Sequence, residues 1–246
     1  MNASHIKVAV VTATIGHRQL HRALRSVQQQ THASIEHWVV VDGPEGEASV
    51  RASVASVRGQ GGEPSVTVLS YRTGMDGWCS HRIYAAAPFL VNAEFVCFLD
   101  QDNWFDPTHV ELLLKQALRQ DSPVAHSLRK IYTQEGEFVC RDDCQSLGPL
   151  HDSFDHPGMR HIDTNCWLVH RALAMDAAKH WCVQDVGDRS FAREMMQRYP
   201  DLPCTLEHSL NYCVESRAES ARAGYFLQGN EVMRRRYPGG LPWLSR

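Results

Sequence analysis

Two carboxylates, Asp100 and Asp102, follow directly on the apolar run Phe95-Val96-Cys97-Phe98-Leu99, with one Gln between them. A run this short, with no helical period, predicts a strand buried on both faces. The acids then stand at its carboxyl end, the edge of an open α/β sheet at which ligands bind. Acids so spaced can share a divalent cation with a bound phosphate, because hard cations take oxygen ligands. The plainer reading makes Asp100, Asp102 and Asp106 turn and cap residues. It suits Asp106 best, since Pro107 follows as a first helical residue and Val110, Leu113, Leu114, Ala117 and Leu118 recur at helical spacing.

The chain that must position these acids has 246 residues, enough for one large α/β domain with its own core. With 43% hydrophobic and 22% charged residues it reads as an ordinary globular protein, and its net charge of -3 argues against a general nucleic-acid binder. Eight cysteines are scattered without zinc-ligand spacing, several of them in apolar runs, so they are expected as reduced, mostly buried thiols of a cytosolic protein. No stretch approaches the roughly 20 apolar residues of a membrane span, and Met1 to Ile15 reads as a strand rather than a signal peptide.

Val8 to Val11 form a strand that ends in Thr12-Ala13-Thr14, and Leu20, Ala23, Leu24 and Val27 mark the buried face of a helix. Trp38 to Val41 is a second strand, closed by the breaker cluster Asp42-Gly43-Pro44. Strand, helix, strand at this spacing is a parallel crossover, which sets Asp42 on the same sheet edge as Thr12 and Thr14. Glu45 to Pro64 reads as a helix and loose loop, Val66 to Leu69 as a third strand, and Ser80 to Ala93 as a helix that Pro88 must kink or restart.

In this order, Thr-Ala-Thr, Val41-Asp42-Gly43, a helix with His81-Arg82, and Phe-Leu-Asp100-Gln-Asp102-Asn resemble the nucleotide-sugar half of a family 2 glycosyltransferase over about the first 120 residues. The resemblance implies the GT-A fold: one α/β domain with a mainly parallel mixed sheet between helices. Residues 1-120 would be the nucleotide-sugar-binding half and 121-246 the acceptor-binding half. It implies a UDP-linked donor, a glycan or lipid-linked acceptor, and Mn2+ or Mg2+ as cofactor. Asp102 would be the metal ligand, and Asp100 would either touch the metal or bind the ribose or sugar. Asp42 would hydrogen-bond the uracil or ribose, with Thr12 and Thr14 lining the base. Arg82 would reach a phosphate or an acid through its planar fork, or else face solvent on its helix. Two departures stand out: the family's Pro-Thr-Tyr-Asn is Thr12-Ala13-Thr14-Ile15 here, and Ile83-Tyr84 replace the Asn that often follows the helical Arg.

Beyond the acids, Val124 to Thr133 and Phe138 to Arg141 flank a hairpin signal, and Gly148 to Asp163 reads as a polar loop over the site. Asn165 to Val169 is a strand, with Thr164 and Asn165 in reach of the pocket, and Arg171 to His180 a helix. An inverting transfer needs a carboxylate to take a proton from the acceptor hydroxyl. By the resemblance Asp188 is that base; Gly187 stands where the family carries Glu, which leaves Asp185 as its competitor, and Asp188 also fits a helix N-cap. Cys204 to Tyr212 reads as an edge strand, and its His208 falls where some GT-A enzymes have a third metal ligand. The run Arg234-Arg235-Arg236 could cover a diphosphate or contact an anionic membrane surface at the inner face; by default it ends a helix with favourable charge. Two rival functions are a non-catalytic nucleotide-sugar-binding domain and a phosphatase with Asp100 as nucleophile.

Overall fold

The computed structural model describes residues 5–58, 62–215 and 221–244. Nine strands form one mixed sheet: β1 (Val8–Thr14), β2 (Ile35–Val41), β3 (Ser65–Val68), β4 (Phe95–Phe98), β5 (Trp104–Phe105), β6 (Val124–Tyr132), β7 (Phe138–Arg141), β8 (Trp167–His170) and β9 (Cys204–Cys213). Their order is β3-β2-β1-β4-β8-β6-β9-β5, with β7 on β6. The half from β3 to β4 is wholly parallel, as the crossover spacing predicts. β8 then runs antiparallel to both β4 and β6, so β6 and β9 point the same way as β4. The carboxyl ends of β1, β2, β4, β6 and β9 therefore share one edge. All seven residues of β1 and all four of β4 are buried, which is why both read as continuous apolar or small-residue runs.

The helices are α1 (Leu20–Gln28), α2 (Glu47–Ser56), α3 (His81–Leu90), α4 (His109–Arg119), α5 (Arg171–Asp176), α6 (Gly187–Arg198) and α7 (Ala223–Arg236). Leu20, Ala23, Leu24 and Val27 of α1 and Val110, Leu113, Leu114 and Ala117 of α4 are buried, as their spacing predicts. α3 runs through Pro88 without restarting and ends two residues later. Phe98 anchors an aromatic cluster with Tyr84, Trp181 and Phe191, at ring separations of 5.0, 5.2 and 6.2 Å. This cluster ties β4 to α3 and α6. A smaller core of Leu128, Ile131, Phe226, Met233 and Trp243 lies under α7.

Several expectations are corrected. Asp106 does not cap α4; its carboxylate is ion-paired with Lys130 at 2.7 Å and accepts from Asn211 at 2.9 Å, because Trp104–Phe105 forms a short strand against β9 that draws it away. β9 is not an edge strand, since it lies between β6 and β5. The helix from Arg171 stops at Asp176 and gives way to a 3-10 turn over Ala178–Trp181. The run Arg234-Arg235-Arg236 ends α7, as its default reading has it, with Arg234 and Arg235 ion-paired to Glu231 one turn back. None of the eight cysteines is in a disulfide, and among the described residues no helix is long and apolar enough to cross a membrane.

Phe98→Ala removes a fully buried ring from the centre of the aromatic cluster, and is expected to cost about 3–5 kcal/mol. Urea unfolding followed by tryptophan fluorescence measures it; a loss below about 1 kcal/mol would mean that the cluster does not bind β4 to the helices.

Candidate active site

The turn after β4 is wired into the fold on several sides. Asp100 accepts from Tyr84 Oη at 2.8 Å and Ser80 Oγ at 3.4 Å on one oxygen, and from Asn165 Nδ2 at 2.8 Å on the other. Its amide donates to Asn165 Oδ1. Burial and the neighbouring Asp100 push the Tyr84 hydroxyl well above its usual range, so it stays a proton donor. Gln101 Oε1 accepts from Thr14 Oγ1 at 2.7 Å and from the amides of Ile15 and His17 at 2.9 and 3.2 Å, fixing the loop after β1. Asn103 Oδ1 accepts from the Cys213 amide at the end of β9 at 2.9 Å. Asp102, 4% exposed, lies toward β9, where its charge helps burial push the Cys213 thiol up to about 11.

Behind Asn165 runs a buried chain of charges. Asn165 Nδ2 also donates to Asp163 Oδ1 at 2.8 Å, Arg129 donates to Asp163 Oδ2 at 2.5 Å and to Asp142 Oδ2 at 2.8 Å, and the Arg129 guanidinium lies 4.4 Å from the centre of the Tyr212 ring. Burial would lower the Arg129 pKa, but Asp142 and Asp163 outweigh it and hold the guanidinium charged. Burial would raise Asp142; the Arg129 charge and hydrogen bond and the amides of Cys144 and Gln145 bring it below its usual value instead.

Asp42, at the end of β2, accepts from the Thr73 amide and hydroxyl at 2.6 and 2.9 Å and from the Gly74 amide at 2.9 Å. It thereby holds the 72–74 loop over a cleft of about 80 Å³ that Thr14, Asp42, Arg72, Ser80 and Asp100 line. Arg82 points instead along that loop: it donates to the Thr73 carbonyl at 3.2 Å and stacks 3.8 Å from the Trp78 ring centre. Arg72 is the arginine on the cleft.

The start of α6 meets the start of α3. A Cβ on Gly187 would lie 2.4 Å from the Trp181 carbonyl and 2.6 Å from His81 Nδ1, so no larger residue enters there while His81 and Trp181 stay in place. Asp188 is half-buried in the first turn of α6, and its carboxylate accepts from the Arg189 amide at 2.8 Å. It is not the N-cap, a position Val186 holds. Burial pushes the His81 imidazole below its ordinary value, with Asp188 and Asp185 acting against it, so both acids face the His81 end of α3. His161 is likewise lowered by burial and opposed by Asp188. Asp185 is exposed with a φ of +62°, and its amide donates to the Gly77 carbonyl at 3.1 Å. Its carboxylate presses on Gly77, where the φ of +80° and the lack of a Cβ are both required.

Of the residues singled out from the sequence, Thr14, Asp42 and Asp100 thus come together on one cleft, Asp102 lies behind the same turn toward β9, and Asp188 stands beside the start of α3. Three are not brought there. Thr12 is fully buried and bonded to His37 Nε2 at 3.0 Å: it shares Thr14's face of β1 but lies two residues further into the sheet, short of the edge where the cleft opens. Arg82 is spent on the Thr73 carbonyl and Trp78. His208 lies 3.2 Å from Asp143, five residues along β9 from the Cys213 that meets Asn103. Among the described residues no group of three or more His, Cys, Asp or Glu could hold a metal ion. Sequence reading passed over Arg72, Ser80, Tyr84 and Gln101 as site residues. The signal for Gln101 was its place between two acids; Tyr84 stood in plain view as a departure from the usual Asn.

Comparison with known proteins bears on the fold and the family. The sequence model of glycosyl transferase family 2 matches residues 10–176, more than half of the chain. A crystal structure of S. aureus TarS 1-349 in complex with UDP aligns at 15% identity and a TM-score of 0.61, covering 95% of this chain and 72% of that one. TarS 1-349 in complex with UDP-GlcNAc aligns at 17% identity and a TM-score of 0.62, over 93% of this chain and 65% of that one. A further TarS crystal structure is covered over 38% of its length. No curated protein matches the sequence.

Arg129→Met leaves Asp142 and Asp163 without a counter-charge and is expected to cost about 3–5 kcal/mol near neutral pH. Asp142 is depressed in the fold, so its contribution is present above its unfolded pKa of 3.8 and is lost as pH falls through the folded value. Without Arg129 the same burial raises the carboxyl, and protonation relieves it. The deficit relative to wild type should therefore shrink between about pH 7 and about pH 5 in urea unfolding; a deficit equal at both values would mean that these carboxylates do not depend on Arg129.

Proposed function

The chain belongs to glycosyl transferase family 2, and from that membership we propose that it transfers a sugar from a nucleoside-diphosphate donor, UDP-linked, to a hydroxyl of a glycan or lipid-linked acceptor with inversion. It is a glycosyltransferase, which sets aside the phosphatase reading. The observation that carries the finer reading is the gathering of Thr14, Asp42 and Asp100 on one cleft at the carboxyl edge of the parallel strands, with Asp188 acting on His81, the neighbour in sequence of the Ser80 that lines that cleft. That the fold is shared with TarS crystallised with UDP and with UDP-GlcNAc supports the choice of donor.

In this reading residues 1-120 bind the donor and 121-246 the acceptor. Asp42 and Thr14 face the nucleoside, Arg72 the diphosphate, and Asp100, held in one orientation by Tyr84, Ser80 and Asn165, the ribose or sugar. The cleft of about 80 Å³ is well below the roughly 300–1,000 Å³ of ligand pockets, so donor entry displaces the 72–74 loop from Asp42. Asp188 accepts the proton of the acceptor hydroxyl as its oxygen bonds to the anomeric carbon, and the bond from that carbon to the diphosphate breaks with its electron pair on the departing oxygen. Attack from the face opposite the leaving group inverts the anomeric centre.

The residues suit Mn2+ or Mg2+ that arrives with the diphosphate rather than one caged by protein alone. Asp100 has three donors on its two oxygens; Asp102, in the same turn, would be the carboxylate that holds the cation, as the family membership implies. Bound there, the cation would stabilise the negative charge that develops on the diphosphate.

Release of UDP from UDP-sugars, with and without Mn2+, tests this. Asp188→Asn should lower turnover about 10²- to 10⁴-fold with donor affinity kept, and Asp102→Ala should abolish the metal response. Full turnover in Asp102→Ala would remove it from the metal site, and donor binding without turnover under any acceptor would favour a binding module.

A further inference from the structure

A second recess, of about 750 Å³, opens between α6 and the loop of residues 155–161. Arg189 and Arg193 line it from α6, one turn apart, and Arg160, His156 and His161 from the loop. Asp155 is the one acid among the described residues that line it, and its oxygens are already bonded to Ser153 and Tyr225 at 2.7 and 3.0 Å. In a chain of net charge -3 the three arginines make the recess a local concentration of positive charge.

The two α6 arginines differ from the ion-paired helical arginines of this protein. Arg51, Arg198 and Arg235 each have a glutamate one turn back, Glu47, Glu194 and Glu231. Arg189 and Arg193 have no ion-pair partner among the described residues, and as like charges at i and i+4 they disfavour the helix that carries them. Arg160 reaches Asp152 at 3.1 Å through Nε and is half exposed. A ligand that supplies the missing negative charge would relieve that repulsion. The recess also adjoins the candidate base: Asp188 precedes Arg189, and both act electrostatically on His161 in the recess wall.

We propose that this recess binds the acceptor, and that the acceptor is an anionic chain whose phosphate or carboxylate groups pair with Arg189, Arg193 and Arg160 while one of its hydroxyls reaches Asp188. Guanidinium groups suit either anion through paired hydrogen bonds. The assignment as acceptor site rests on the glycosyl-transfer reading above; the assignment of an anion to the recess rests on the arginines.

Calorimetric titration of the full chain at low ionic strength with three probes tests it: inorganic polyphosphate, a hyaluronan oligosaccharide and neutral dextran. The expected result is binding of at least one polyanion, weakened by added salt, with at least about tenfold loss in R189E/R193E and a smaller loss in R189K/R193K, which keeps the charge but not the paired hydrogen bonds, and no binding of dextran. The tighter of the two polyanions identifies phosphate or carboxylate. Binding of neither polyanion, equal binding by R189E/R193E, or equal binding of dextran overturns the proposal. R189Q/R193Q replaces the charge-reversed variant if its melting temperature falls. A parallel UDP titration of the wild type separates the two readings: polyanion binding without UDP binding sinks the donor assignment, and UDP binding without polyanion binding sinks this one.

Discussion

A buried guanidinium holds this site together. Arg129, 2% exposed in the middle of β6, bridges Asp142 after β7 and Asp163 before β8, and through Asp163 and Asn165 it reaches Asp100 at the end of β4. Taking three charges out of water is costly, and such a group gives little net stability over a well-packed apolar one. What it supplies is direction. Every oxygen and nitrogen in the chain has an assigned partner, so the carboxylate of Asp100 has one orientation rather than several, and the segments that carry Asp142 and Asp163 cannot shift without leaving a buried charge unpaired.

The turn of residues 100–103 converts that rigidity into an assembly point. Asp100 binds α3 and the segment before β8, Gln101 binds the loop after β1, and Asn103 binds the end of β9. Three residues of this turn thus link the parallel half of the sheet to the mixed half. This is where a donor and an acceptor would have to meet, since strands from both halves end at this edge.

The other functional loops are held more lightly. Asp42 closes the 72–74 loop with three hydrogen bonds that a ligand could replace, and the 183–187 segment rests on Gly77 and His81 through backbone contacts and close packing. The replacement of the family's Glu by Gly187 follows from that packing, because His81 and Trp181 occupy the volume a side chain would need.

The parallel crossovers, the buried β4, the amphipathic α1 and α4 and the family itself were legible in the sequence, because each depends on patterns within one element or on the order of motifs along the chain. The Val124–Arg141 hairpin was equally legible, from its turn residues. What the sequence could not show was which polar side chains find each other across 65 or more residues. Asn165 with Asp100, Gln101 with the loop after Thr14, and His208 with Asp143 rather than with Asp102 are decided by strand order and register. The same holds for Asp106, a helix cap by local pattern and an ion-pair partner of Lys130 in the fold. Local propensity determined the elements and their faces; only the three-dimensional sheet, by setting distant strand ends side by side, decided which of the candidate residues share a cleft.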